Sequence, residues 1–127
     1  MTPLLVAVGG ALGSVLRYWA GGLAQQAAGG AAGGFPIGTL LVNVVGCLVI
    51  GALAQLGERS PLAPEARALL MTGVLGGFTT FSAFANETVL AWRAGAMAVA
   101  AANVVLSVAL CIAGVAIGRA AVGLFVK

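Results

Sequence analysis

The sequence predicts an all-α integral membrane protein with four transmembrane helices, and three observations carry that expectation. Of 127 residues, 61% are hydrophobic and 7% charged, whereas an average soluble domain is roughly 25% charged. Six Lys or Arg and three acidic residues cannot cover the exterior of a water-soluble fold. The apolar residues fall into four runs, near 3–24, 36–56, 66–92 and 95–118, each near or above the ~20 residues that cross a bilayer. Glycine supplies 20 residues without a Gly-x-y period, which excludes collagen and suits close helix packing in lipid. The links between runs are short, so the expectation is one four-helix domain over residues 1–127.

The first run carries Gly9 and Gly13, a small-xxx-small pair that marks a packing surface. It ends in Arg17, Tyr18 and Trp19, which reads either as an interfacial belt or as a basic group drawing anions into a vestibule. No Lys or Arg precedes the run, the wrong charge order for a cleavable signal peptide, so Met1 is expected to stay. A Gly/Ala-rich link over 27–34 leads into the second run, where Thr39, Asn43 and Cys47 recur at i, i+4 and i+8 and form one polar stripe. A polar link over 57–65 with Pro61 and Pro64 precedes the third run. Uninterrupted helix over 66–92 would measure roughly 40 Å against a hydrocarbon core of about 30 Å. Gly76 and Gly77, followed by Thr79 and Thr80, propagate helix poorly, so the third helix is expected to break between Gly73 and Ser82. Backbone freed at membrane depth needs protein or an ion to satisfy it, and a break there implies a site. After a tight turn around Arg93, the fourth run repeats the polar spacing with Asn103, Ser107 and Cys111, then adds Gly114 and Gly118.

The polar residues within the spans have two readings each. Either stripe can serve helix-to-helix hydrogen bonding, worth about 0.6 kcal/mol per contact in membranes, or line a polar pathway. Phe78, Phe81 and Phe84 at three-residue spacing are core, or they turn their positive ring edges toward an anion. Glu87 is the carboxylate inside a span; it reaches the interface near Trp92, or it belongs to the pathway.

Composition also excludes. There is no His, and Cys47 and Cys111 stand in no ligand-like spacing, so no transition-metal or redox chemistry is expected, and both read as small buried hydrophobes. A net charge of +3 is too thin for nucleic acid. No catalytic constellation is recognisable, so an enzyme is not expected. Arg59, Arg67, Arg119 and Lys127 fall at one end, and Arg93 and the deeper-lying Arg17 at the other, a weak bias that permits insertion in both orientations.

Taken together, these residues resemble the Fluc/CrcB fluoride channels, and the resemblance spans all four runs. Gly9 to Tyr18 is similar to the family's GGxxGAxxRY, with Ser14 where alanine is usual. Gly38, Thr39, Asn43, Gly46 and Gly51 follow GTLxVNxxGxxxxG, and Gly73 through Glu87 resembles GxxGGxTTFSTFSxE. The resemblance implies an antiparallel, dual-topology homodimer in the cell inner membrane that exports fluoride through two pores. It implies a structural sodium ion at the dimer centre on the backbone carbonyls of Gly76 and Thr79. The fluoride pathway would run along Asn43, Phe81, Phe84, Thr80, Ser82, Ser107 and Glu87, with Arg17 in the vestibule. Ala83, Ala85 and Cys111 depart from the family's hydroxyls. A small multidrug-type proton-coupled exporter is the alternative, but such a chain would carry an acid in its first span, where this one has Arg17.

Overall fold

The structure, a computed structural model, describes residues 1–29 and 34–125. The expected link over 27–34 therefore lies partly, and Lys127 wholly, outside the described residues. The described chain is helical: α1 (Thr2–Ala27), α2 (Ile37–Arg59), α3 (Pro64–Arg67), a π-helical segment (Ala68–Leu75), α4 (Gly76–Phe78), α5 (Phe81–Arg93) and α6 (Met97–Phe125). Four stretches, Thr2–Ala27, Ile37–Arg59, Pro64–Arg93 and Met97–Leu124, are long and apolar enough to cross a membrane.

The third span breaks as the sequence predicts, but over fewer residues. Gly76, Gly77 and Phe78 remain helical, and only Thr79 (φ −85°, ψ 155°) and Thr80 (φ −150°, ψ 115°) are extended. The two β-branched residues lose little in leaving the helix, because extended backbone suits them. Thr80 then restarts the chain as the N-cap of α5, its hydroxyl accepting from the Ala83 N–H at 3.2 Å. The π-helical turns before the break were not anticipated; such wider turns in proteins concentrate at functional sites.

The packing inverts the pattern of a water-soluble protein. Large apolar side chains such as Leu12, Leu16, Leu41, Val105 and Ile112 point outward, while the buried positions include Gly9, Gly13, Gly51, Gly114, Gly118 and Asn103. Outward leucines cost nothing in lipid, so association depends on backbone approach, and small residues permit it. Gly13 and Gly9 lie on the backbone of Val74 and Leu69 in the third span. Gly51 and Gly118 do the same between α2 and α6: a Cβ on either would collide with the carbonyl of Val115 or Leu48. α5 closes onto α6, and Gly95 (φ +77°) makes the turn between them. There the Ala96 and Gly95 N–H groups return to the carbonyls of Ala91 and Trp92 at 2.9 Å each, so glycine takes the left-handed position that ends the helix.

Arg59, Arg67 and Arg119 gather at one end of the spans, where Arg119 pairs with Glu58 at 2.7 Å. Gly118→Ala is expected to lower stability by about 1–3 kcal/mol, because its methyl meets fixed backbone. Gly22→Ala, whose Cβ meets nothing within 4 Å among the described residues, should instead stabilise by up to about 1 kcal/mol. Apparent melting temperatures in detergent check both; equal shifts would contradict the packing argument.

Candidate functional site

The break leaves the N–H and the carbonyl of Thr80, which belong to successive peptide groups, without helical partners, and α2 supplies one for both. The Thr80 N–H donates to Asn43 Oδ1 at 2.7 Å, and Asn43 Nδ2 donates to the Thr80 carbonyl at 3.1 Å. One side-chain amide thus pairs with the extended backbone as a neighbouring strand would. Gly46, one turn further along α2, is the companion requirement: a Cβ there would strike Thr79 Cγ2. The NxxG spacing therefore holds an extended residue with Asn43 and makes room for its neighbour with Gly46.

This arrangement frees backbone oxygens. In continuous helix the Gly76 carbonyl would accept from Thr80 and the Thr79 carbonyl from Ala83, but those N–H groups go to Asn43 and to the Thr80 hydroxyl. Gly76 is exposed and Thr79 half-buried, and both line one cavity. Two oxygens without helical donors fit a small hard cation, which takes oxygen ligands. At the same place α5 begins, and the N-terminus of a helix is electropositive and suits an anion.

Two cavities meet at Thr80, which lines both. The first, about 450 Å³, is bounded by Arg17, Gln25, Thr39, Ala83 and Glu87 among others. Arg17 faces into it, while its neighbours Tyr18 and Trp19 are exposed. Glu87 is held from α2: Thr39 Oγ1 donates to its Oε1 at 2.6 Å, and Oε2 is buried without a hydrogen-bond partner among the described residues.

The second cavity, about 460 Å³, is bounded by Asn43, Thr79, Phe81, Phe84, Ser107 and Cys111 among others. No charged side chain stands among the described residues that line it. Phe84 is buried and Phe81 is 79% exposed, their ring centroids 5.2 Å apart and tilted by 47°. Asn43 Nδ2 carries two N–H groups and spends one on Thr80, so the other is the donor it offers the cavity. Ser82 lies in neither lining; it is exposed on the protein surface, its hydroxyl 3.2 Å from that of Thr80. Arg17 and Glu87 thus stand on one side of the Asn43–Thr80 clamp, and Phe81, Phe84, Ser107, Gly76 and Thr79 on the other.

Three further polar positions matter: Thr39 and Asn103, which the stripes named without their partners, and Gln25, which was not among the sequence candidates. Thr39 holds Glu87. Gln25 ties α1 to the start of α2, donating to the Phe35 carbonyl at 3.2 Å and accepting from the Gly38 N–H at 3.0 Å. Asn103, 1% exposed, donates to Thr88 Oγ1 at 2.9 Å and accepts from Ser107 Oγ at 3.3 Å, while Thr88 donates to the Phe84 carbonyl at 2.8 Å. The stripe spacing of Thr39 and Asn103 was visible in the sequence, but their partners lie on other helices.

Residues 4–119 match the family model described as CrcB-like protein, Camphor Resistance (CrcB). A protein of Rhizobium etli named fluoride-specific ion channel FluC is 53% identical over 124 residues, covering 94% of this chain and 97% of its own. Proteins of the same name from Rhodospirillum rubrum and Shewanella sp. (strain ANA-3) are 48% identical over 122 residues (94% and 92% covered) and 46% identical over 116 (91% of each). The extent of the match and the motifs around the broken helix together make this chain a member of the CrcB family.

Proposed function

We propose that this protein is a fluoride-selective channel of the cell inner membrane that lets fluoride leave the cytoplasm. The observation that carries the reading is the Asn43–Thr80 clamp, which holds open a broken helix beside an uncharged cavity. Fluoride is small and strongly hydrated, so a pathway must replace its water with short-range donors. The free Asn43 N–H, the Thr80 hydroxyl, the N-terminal end of α5 and the ring edges of Phe81 and Phe84 are donors of that kind, and the Ser107 hydroxyl joins them when it turns from Asn103 Oδ1 into the cavity. A fixed cation among them would hold the ion too tightly for conduction; Arg17 stands outside this cavity, in the vestibule where it draws anions in. Glu87 and Ser82 are assigned to the same track, Glu87 on the vestibule side. The relatives carry a channel's name, not an enzyme's, and neither they nor Arg17 in the first span favours a multidrug-type proton-coupled exporter.

The assembly belongs to the same proposal: an antiparallel homodimer with two pores. Phe81 and Gly76 are exposed in the single chain, which supports a partner covering them. A second copy related by a two-fold axis would bring its own Gly76 and Thr79 carbonyls to the first pair, and a sodium ion would satisfy all of them. The ion's part is structural, relieving carbonyl repulsion where each unsatisfied group costs several kcal/mol.

Liposomes containing only the purified chain are expected to release fluoride far faster than chloride; equal rates would overturn the selectivity. Asn43→Ala exposes two buried backbone groups at about 1–3 kcal/mol each and should cut flux roughly tenfold or more, and Phe81→Ile should also lower it, with the dimer intact on gel filtration. Wild-type rates in both variants would make these residues mere packing. Raising sodium at constant ionic strength should raise the melting temperature of the dimer, as any ligand of the native state does, and no shift would count against the ion. Adding two or three lysines to the 57–65 link should impose one orientation and abolish flux; surviving flux would exclude the antiparallel dimer.

A further inference from the structure

Three sulfur-bearing side chains from different parts of the chain line the uncharged cavity: Cys47 on α2, Met71 on the π-helical segment and Cys111 on α6. Cys47 and Cys111 are free thiols on two neighbouring helices, and both line this cavity. The close approach of α2 and α6 brings them together; Cys47 Cβ lies only 3.5 Å from where a Cβ on Gly114 would stand. Neither cysteine looks like a ligand in sequence, because the fold and not the spacing pairs them.

We propose that Cys47, Cys111 and Met71 form a binding site for a soft monovalent cation, silver(I) or copper(I), inside the cavity bounded by Phe81 and Phe84. Thiolate and thioether sulfur select soft ions, whereas the nearby Gly76 and Thr79 carbonyls are hard oxygen donors, so the two kinds of ion do not compete for one set of ligands. Two thiols give up their protons to solvent as their sulfur lone pairs bind the ion, and no group changes oxidation state. Met71 is unbranched and flexible, so its thioether adapts to the ion's position. Ser107, which lines the same cavity, is one helical turn from Cys111 on α6. The occupied site therefore obstructs the anion route; this second half rests on the channel reading above.

The test uses silver in chloride-free solution, on the purified full-length chain in detergent and on the same chain in liposomes. Titration is expected to show about one silver ion bound per chain with release of about two protons. Cys47→Ala and Cys111→Ala should each abolish this tight binding, and Met71→Leu should weaken it roughly tenfold. Saturating silver should lower fluoride efflux of the wild type, and neither cysteine variant should respond, each measured against its own silver-free rate. Absence of binding, or wild-type affinity in either cysteine variant, overturns the joint site. Tight binding with undiminished efflux overturns the obstruction. A chain that conducts no fluoride refutes the channel reading, while the detergent titration still decides whether the three sulfurs bind the ion.

Discussion

Backbone groups that leave their helix inside a bilayer have no water to turn to, and in this protein Thr80 depends on one side chain instead for both its N–H and its carbonyl. Asn43 accepts from its N–H and donates to its carbonyl, which removes a penalty of several kcal/mol for each group. Much else follows from that pairing. It fixes the depth of the third span against α2, starts α5 with the Thr80 hydroxyl as its cap, and leaves the carbonyls of Gly76 and Thr79 without their helical donors. The second cavity opens beside the break.

The clamp requires α2 and the third span to lie close, and glycine makes that possible. Gly46 admits Thr79, Gly9 and Gly13 seat α1 on the third span, and Gly51 and Gly118 seat α2 on α6. In water the same sequence would expose its leucines and valines at great cost. In lipid those side chains face a solvent as apolar as themselves, and backbone contact with buried polar pairs holds the spans together. The Asn103–Thr88–Phe84 chain of hydrogen bonds is the example between α5 and α6.

Charge is distributed with the same economy. Arg17 and Glu87 share the first cavity, and the clamp separates them from the aromatic one, whose described lining has no charged side chain. An anion drawn toward Arg17 would next meet neutral donors, which hold an ion weakly enough to release it. Glu87 keeps one oxygen on Thr39 and the other without a partner among the described residues, an arrangement that local sequence does not disclose.

What the sequence by itself determined is the set of properties that arise within one helix or from composition. Four long apolar runs, the shortage of charge and the poor helix propagation at Gly76–Thr80 predict four spans and a broken third, and the structure has both. The i, i+4 stripes place Asn43 and Cys47, and Asn103 and Ser107, on single helix faces. What only the tertiary structure decided is what those faces meet. It turned Glu87 to Thr39, gave both the oxygen and one N–H of the Asn43 amide to Thr80, placed Cys47 and Cys111 in one cavity lining, and left Ser82 outside both cavities. These outcomes depend on the rotation and depth at which two helices pack, set here by glycine contacts between distant residues. Helical periodicity shows which residues share a face, but not which face lies opposite.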